Sequence, residues 1–128
     1  MKLLLDTHAL AWWLANNPKL SGKAHDLIAA PSNAVFVSAA SAWEIATKTR
    51  LGKWPEAMGL ASMFPGVIEA SGFEPLAITV RHAIHAGALT AAHADPFDRM
   101  LAAQAELEEM TLVTADLAFA QFNAPILW

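Results

Sequence analysis

The stretch that most constrains this chain is its beginning, Lys2-Leu3-Leu4-Leu5-Asp6-Thr7-His8-Ala9-Leu10. A short unbroken apolar run reads as a strand buried on both faces, the kind that parallel sheets require. The apolar spacing then becomes helical at Leu10, Trp13 and Leu14. Asp6 therefore falls where a strand hands over to a helix, at the carboxyl edge of the predicted sheet. Open α/β folds bind their ligands at that edge. Capping is the plainer reading, because Asp or Thr in this position accepts a backbone N–H of the new helix.

Further along, Ser21 caps a predicted helix over 22–30, stopped by Pro31, and residues 34–37 form a second buried strand. That strand runs into Ser38-Ala39-Ala40-Ser41-Ala42-Trp43-Glu44-Ile45-Ala46, the start of a helix that closes at Leu51-Gly52. Ser41 and Glu44 have the spacing of a capping box, which gives Glu44 a purely structural reading. Lys48, Arg50 and Lys53 gather at the end of this helix, where cations complement the dipole or meet a phosphate. Residues 56–63 look helical up to Pro65-Gly66, and 73–78 offer a short strand. Thr79 caps a helix over 80–88, with His82 and His85 on one face and His93 in the following loop. Without cysteine or an HExxH pattern, these histidines read as ordinary rather than as zinc ligands.

Asp95-Pro96 is a strong helix start, with aspartate at the N-cap and proline at the first helical position. Asp98 falls at the third position, where the helix dipole favours a carboxylate. A strand at 111–113 leads into Thr114-Ala115-Asp116 and a short turn, and 124–127 reads as a final edge strand. The expected architecture over 1–128 is a single α/β domain with about four to five mainly parallel strands alternating with helices.

Asp6, Glu44, Asp98 and Asp116 each lie near a helix N-terminus, three of them directly after a strand. Right-handed crossovers bring such junctions to one edge. No basic residue stands among the three strand-end junctions, and two carboxylates 4 Å apart repel by about 4 kcal/mol at an effective dielectric near 20. A cation relieves that repulsion, and ligands that are all oxygen favour a hard ion, Mg²⁺ or Mn²⁺. With 12 acidic against 8 basic residues, the net charge of −4 excludes a broad basic surface for nucleic acid. A divalent ion bridging carboxylates and phosphate would let so acidic a chain engage a phosphodiester. The absence of cysteine excludes disulfides and fits a cytoplasmic protein. No window approaches a membrane span, and Asp6 interrupts the apolar run too early for a signal peptide.

The succession LLLDTHAL, VSAASAWEIATK, DPFDRMLAAQA and LVTAD resembles the PIN-domain proteins, and within them the VapC-type ribonuclease toxins of bacterial toxin–antitoxin pairs. The resemblance covers nearly the whole chain in order, and DPFDRML-A-QA is its most specific part. It implies a three-layer α/β/α PIN-like fold and a Mg²⁺- or Mn²⁺-dependent endoribonuclease. Asp6, Glu44 and Asp98 match the family's acidic positions, and Asp116 the more variable fourth. By this resemblance Asp6 and Asp98 are metal ligands, Glu44 orients water and Asp116 completes the site, with Thr7 and Ser38 as helpers. The implied partners are an RNA substrate, a cognate antitoxin protein and a second copy of the chain in a homodimer. Ala94 departs from relatives that carry a basic residue before the DPFDR stretch. A phosphorylation-type receiver needs a lysine after the last core strand, and no lysine follows Lys53. A dehalogenase-type phosphatase needs a second aspartate where His8 stands. A catalytically silent acidic Mg-binding module is the remaining alternative, and intact acids at all four positions argue against it. Trp54, Met58, Met63 and Phe64 lack an evident core role and are expected at an interface.

Overall fold

The computed structural model describes residues 1–128. Five strands form one parallel sheet: β1 (Lys2–Leu5), β2 (Ala34–Ser38), β3 (Glu74–Leu76), β4 (Thr111–Val113) and β5 (Ile126–Leu127). Their order is β3-β2-β1-β4-β5, so the sheet winds outward in both directions from β1. The register pairs Leu3 with Val35 on one side and Leu4 with Leu112 on the other. The helices are α1 (Thr7–Leu14), α2 (Gly22–Ala29), α3 (Ala39–Arg50), α4 (Gly66–Ala70), α5 (Val80–Ala88) and α6 (Pro96–Leu107).

The leucine run explains why there are two cores. Side chains alternate across a strand, so Leu3 and Leu5 face one way and Leu4 the other, and all three are fully buried. Leu3, Leu5, Val35, Val37 and Val113 pack with Leu10, Ala24, Ile28 and Ile45 from the helices on one face. Leu4 and Leu112 pack with Leu101, Ala102, Ala105, Phe119 and Phe122 on the other. Each buried leucine contributes about 2 kcal/mol of transfer free energy. The outcome is the three-layer α/β/α arrangement, with the carboxyl ends of β1 and β4 flanking the point where strand order reverses.

Several local expectations hold as read. Thr79 caps α5 over 80–88, Asp95 caps α6 with Pro96 in its first turn, and Gly52 follows α3 at φ 67°. The helix expected from the spacing of Leu10, Trp13 and Leu14 begins at Thr7, directly after Asp6, and α2 ends one residue short of 30. The edge strands are shorter than read, three residues in β3 and two in β5. The helix expected over 56–63 does not form. Instead 3-10 turns cover Pro55–Ala57 and Ala61–Met63, separated by Gly59 at φ 86°, a backbone state no right-handed helix accommodates. Trp54 and Phe64, read as lacking a core role, pack against the first core, whereas Met58 and Met63 are exposed. No helix is long and apolar enough to cross a membrane.

Candidate active site

Asp6 ends β1 and caps α1, its Oδ1 accepting the Ala9 N–H at 2.7 Å. The capping reading is therefore correct, yet incomplete. Asp6 is 6% exposed, and burial, opposed by hydrogen bonds from Thr114 and Ala9, pushes its carboxyl up to about 6. Repulsion from Glu44 and Asp116 adds to the rise, which brings three of the four predicted acids into one field.

Glu44 is not a capping residue. The cap of α3 is Ser38, whose Oγ accepts the Ala40 N–H at 3.0 Å, so Ser41 lies inside the helix and Glu44 in its second turn. Buried Glu44 is instead gripped from two sides. Thr7 donates to its Oε1 at 2.6 Å with Ser41 beside it, and Lys48, one turn on, bonds its Oε2. Lys48 thus belongs to the site rather than to a solvated helix end, while Arg50 and Lys53 stay exposed. The i,i+4 spacing of Glu44 and Lys48 was the signal for this pair.

Asp98 stands in the first turn of α6, and its Oδ2 lies 2.7 Å from Nε2 of His93. Burial pushes its carboxyl up to about 6, eased by the His93 bond and raised further by Asp95 and Glu44. Asp116 caps the 3-10 turn Leu117–Gln121 through the Ala118 N–H and is exposed. The expectation of a wholly unpaired acidic cluster needs correction, since Lys48 pairs with Glu44 and His93 bonds Asp98. Both partners come from outside the strand ends, which is why the junction sequences did not show them. As the side chains stand, no three carboxylates or imidazoles converge tightly enough to enclose an ion. The donor set is nonetheless that of a hard cation: all oxygen, with Asp6 and Asp98 desolvated and repelled in their ionised forms.

Other residues turn out to be scaffolding. Ser38, expected as a helper, spends its hydroxyl on Gln104 Oε1, at 2.5 Å. Fully buried Gln104 also reaches the Ala77 carbonyl and Nδ1 of His82. His82 Nδ1 accepts the Thr79 N–H, so its proton is on Nε2, which donates to Glu108. Arg99, overlooked in the sequence, donates to the carbonyls of Ala86, Leu89, Ala91 and His93 and so fixes the loop that presents His93. His8, exposed beside Glu44, has its pKa lowered by desolvation against the pull of the acids.

A doubly wound α/β/α unit whose strand-order reversal is bordered by Asp6, Glu44, Asp98 and Asp116 defines the class. The chain belongs to the PIN-domain family, which it matches over residues 3–125. Ribonuclease VapC16 of Mycobacterium tuberculosis (strain ATCC 25618 / H37Rv) is 43% identical over 53 residues, 41% of this chain and 38% of that protein. The match thus spans less than half the length of the curated relative. Among solved structures, VapBC2 from Rickettsia felis, bound to a DNA fragment from its promoter, superposes with a TM-score of 0.73 at 18% identity, covering 100% of this chain and 99% of that one. DNA-bound VapBC from Salmonella typhimurium gives 0.68 at 23% identity, over 99% and 97%. At these identities the likeness is one of fold.

Proposed function

We propose that the protein is a metal-dependent endoribonuclease, the VapC-type toxin of a toxin–antitoxin pair. The observation that carries this reading is the pair of desolvated aspartates, Asp6 and Asp98, that share the field of Glu44 at the β1–β4 reversal. Asp6 and Asp98 would hold Mg²⁺ or Mn²⁺. When bound, such an ion stabilises charge on the phosphoryl oxygens and acidifies water. Glu44, fixed by Thr7 and Lys48, orients the attacking water and accepts its proton. His93 holds the Asp98 carboxylate by one oxygen and leaves the other free. Exposed Asp116 completes the site from the β4 side. The antitoxin half of the pair is supported by the VapBC complexes among the structural relatives. A homodimer and a cytoplasmic location complete the proposal, the former supported by exposed Met58 and Met63.

The test is cleavage of RNA in Mg²⁺ by the wild type, Asp6→Asn and Asp98→Asn, with circular dichroism to show that each folds. Both variants are expected to lose at least about 100-fold in rate, because each keeps shape and removes a ligand charge. Near-wild-type cleavage by both overturns the assignment.

A further inference from the structure

Beside the acids lies a feature that hydrolysis does not use. His8, in the first turn of α1, stacks against Trp54 with ring centroids 4.6 Å apart at 32°. Trp12 also borders it, with ring centroids 5.7 Å away at 57°. These rings, with Ala11, Ala15, Asn17, Lys19 and Glu56, line a cavity of about 280 Å³. The cavity is joined to the acidic edge by a specific bridge. The Lys48 ammonium that bonds Glu44 sits 5.8 Å from the centre of the Trp54 ring. His8 itself feels the charges of Glu44, Asp98 and Asp116.

Resting on the nuclease reading, we propose that this cavity receives one unpaired nucleobase of the RNA strand whose phosphodiester lies at the acidic edge. Aromatic faces are what an unstacked base needs, and stacking on them tolerates any base because each has a π face. A phosphate is the wrong occupant, since Glu56 offsets Lys19 inside the cavity and leaves no net positive charge there. The charges instead suit the strand's path: Lys48 stands between ring and carboxylate, where a backbone passing from cavity to site would lie. A base held in a duplex cannot enter, because its faces are covered by its neighbours. The crevice therefore selects single-stranded or looped RNA and sets the distance from the gripped base to the bond that is cut.

The experiment reads binding and turnover separately. In chelator, where no cleavage occurs, a ten-nucleotide single-stranded RNA should quench the tryptophan fluorescence of the wild type, and a blunt duplex of the same length should not. Trp54→Phe keeps an aromatic face, so it should bind comparably while losing a large part of the quench. Trp54→Leu keeps apolar bulk without that face, and should bind the single strand roughly tenfold more weakly. With Mg²⁺, Trp54→Leu should raise KM by a similar factor and leave kcat within about threefold. Equal binding by Trp54→Leu and wild type, or a quench untouched by Trp54→Phe, overturns the proposal. If cleavage is normal in that case, the nuclease reading survives alone. A Trp54-dependent quench from a wild type that cuts nothing supports the base cavity while overturning the nuclease reading.

Discussion

Helix α6 meets histidines at both of its ends, and the two ends are built to opposite purposes. At its C-terminal end Glu108 accepts a hydrogen bond from His82 Nε2, and Glu106 pairs with His85 from the same neighbouring helix. Each carboxylate there has its own imidazole, and Glu106 also accepts the Asn123 N–H. At the N-terminal end one imidazole, His93, serves Asp98 while Asp95 and Glu44 repel it. The far end is satisfied, and at the near end the carboxylates outnumber their partners. The same kind of contact is a structural clamp where each acid has its own partner and leaves repulsion unrelieved where the acids outnumber the partners.

Deleting the two histidines should separate these roles most sharply. His82→Ala empties a buried site and strands Gln104 and Glu108, so it should cost about 2–4 kcal/mol. His93→Ala, at the partly open end, should cost under about 1 kcal/mol. Urea unfolding of both variants decides this, and equal losses would erase the distinction between the ends.

Acidity tests the same contrast. Asp6 and Asp98 are pushed up from 3.8 to about 6. A carboxyl whose folded pKa lies above its unfolded one stabilises most when protonated, fully below about pH 4, and loses that contribution as pH rises through about 6. Chelated protein should therefore be more stable at pH 5 than at pH 7, by about 1 kcal/mol for each of the two groups. Added Mg²⁺ should flatten or reverse the trend, since it binds the ionised forms. Thermal melts across this range that fall toward acid in chelator would contradict it.

A smaller effect follows for one charge. Asp98→Asn in chelator should be more stable than the wild type by about 1 kcal/mol and respond less to Mg²⁺. If its only role were to complement the helix dipole, the substitution would instead cost about 0.3–1 kcal/mol. The smallest effect concerns exposed Arg50. Arg50→Ala should lower the salt slope of RNA binding by about one if it meets a phosphate. An unchanged slope assigns it to solvent.

What could be read without coordinates was local. The leucine run, the Thr79 cap and the Asp95-Pro96 start act within a few residues, and each forms as read. Of the candidate acids, Asp6, Asp98 and Asp116 were legible for the same reason, as strand-end and helix-start residues. Glu44 lies a turn further into α3 than its capping-box spacing implied. The acids' partners were not legible. Thr7 reaches Glu44 across 37 positions and Ser38 reaches Gln104 across 66, distances that only the packed layers close. The cap at Ser38 rather than Ser41 was lost because both serines offer the same local chemistry. The stretch between Trp54 and Phe64 was misread because its apolar spacing imitates a helix, and Gly59 alone carries the interruption.

The brevity of the two outer strands has a consequence for company. β3 is three residues long with Pro75 at its middle, and β5 is two residues long and follows Pro125. A neighbour seeking to lengthen the sheet finds almost no free backbone to bond, and prolines where donors should be. A chain that is 55% hydrophobic is thereby shielded from the commonest route to fibrous self-assembly. Any protein partner must approach over the helices, through side chains, and its fit is open to revision one surface residue at a time.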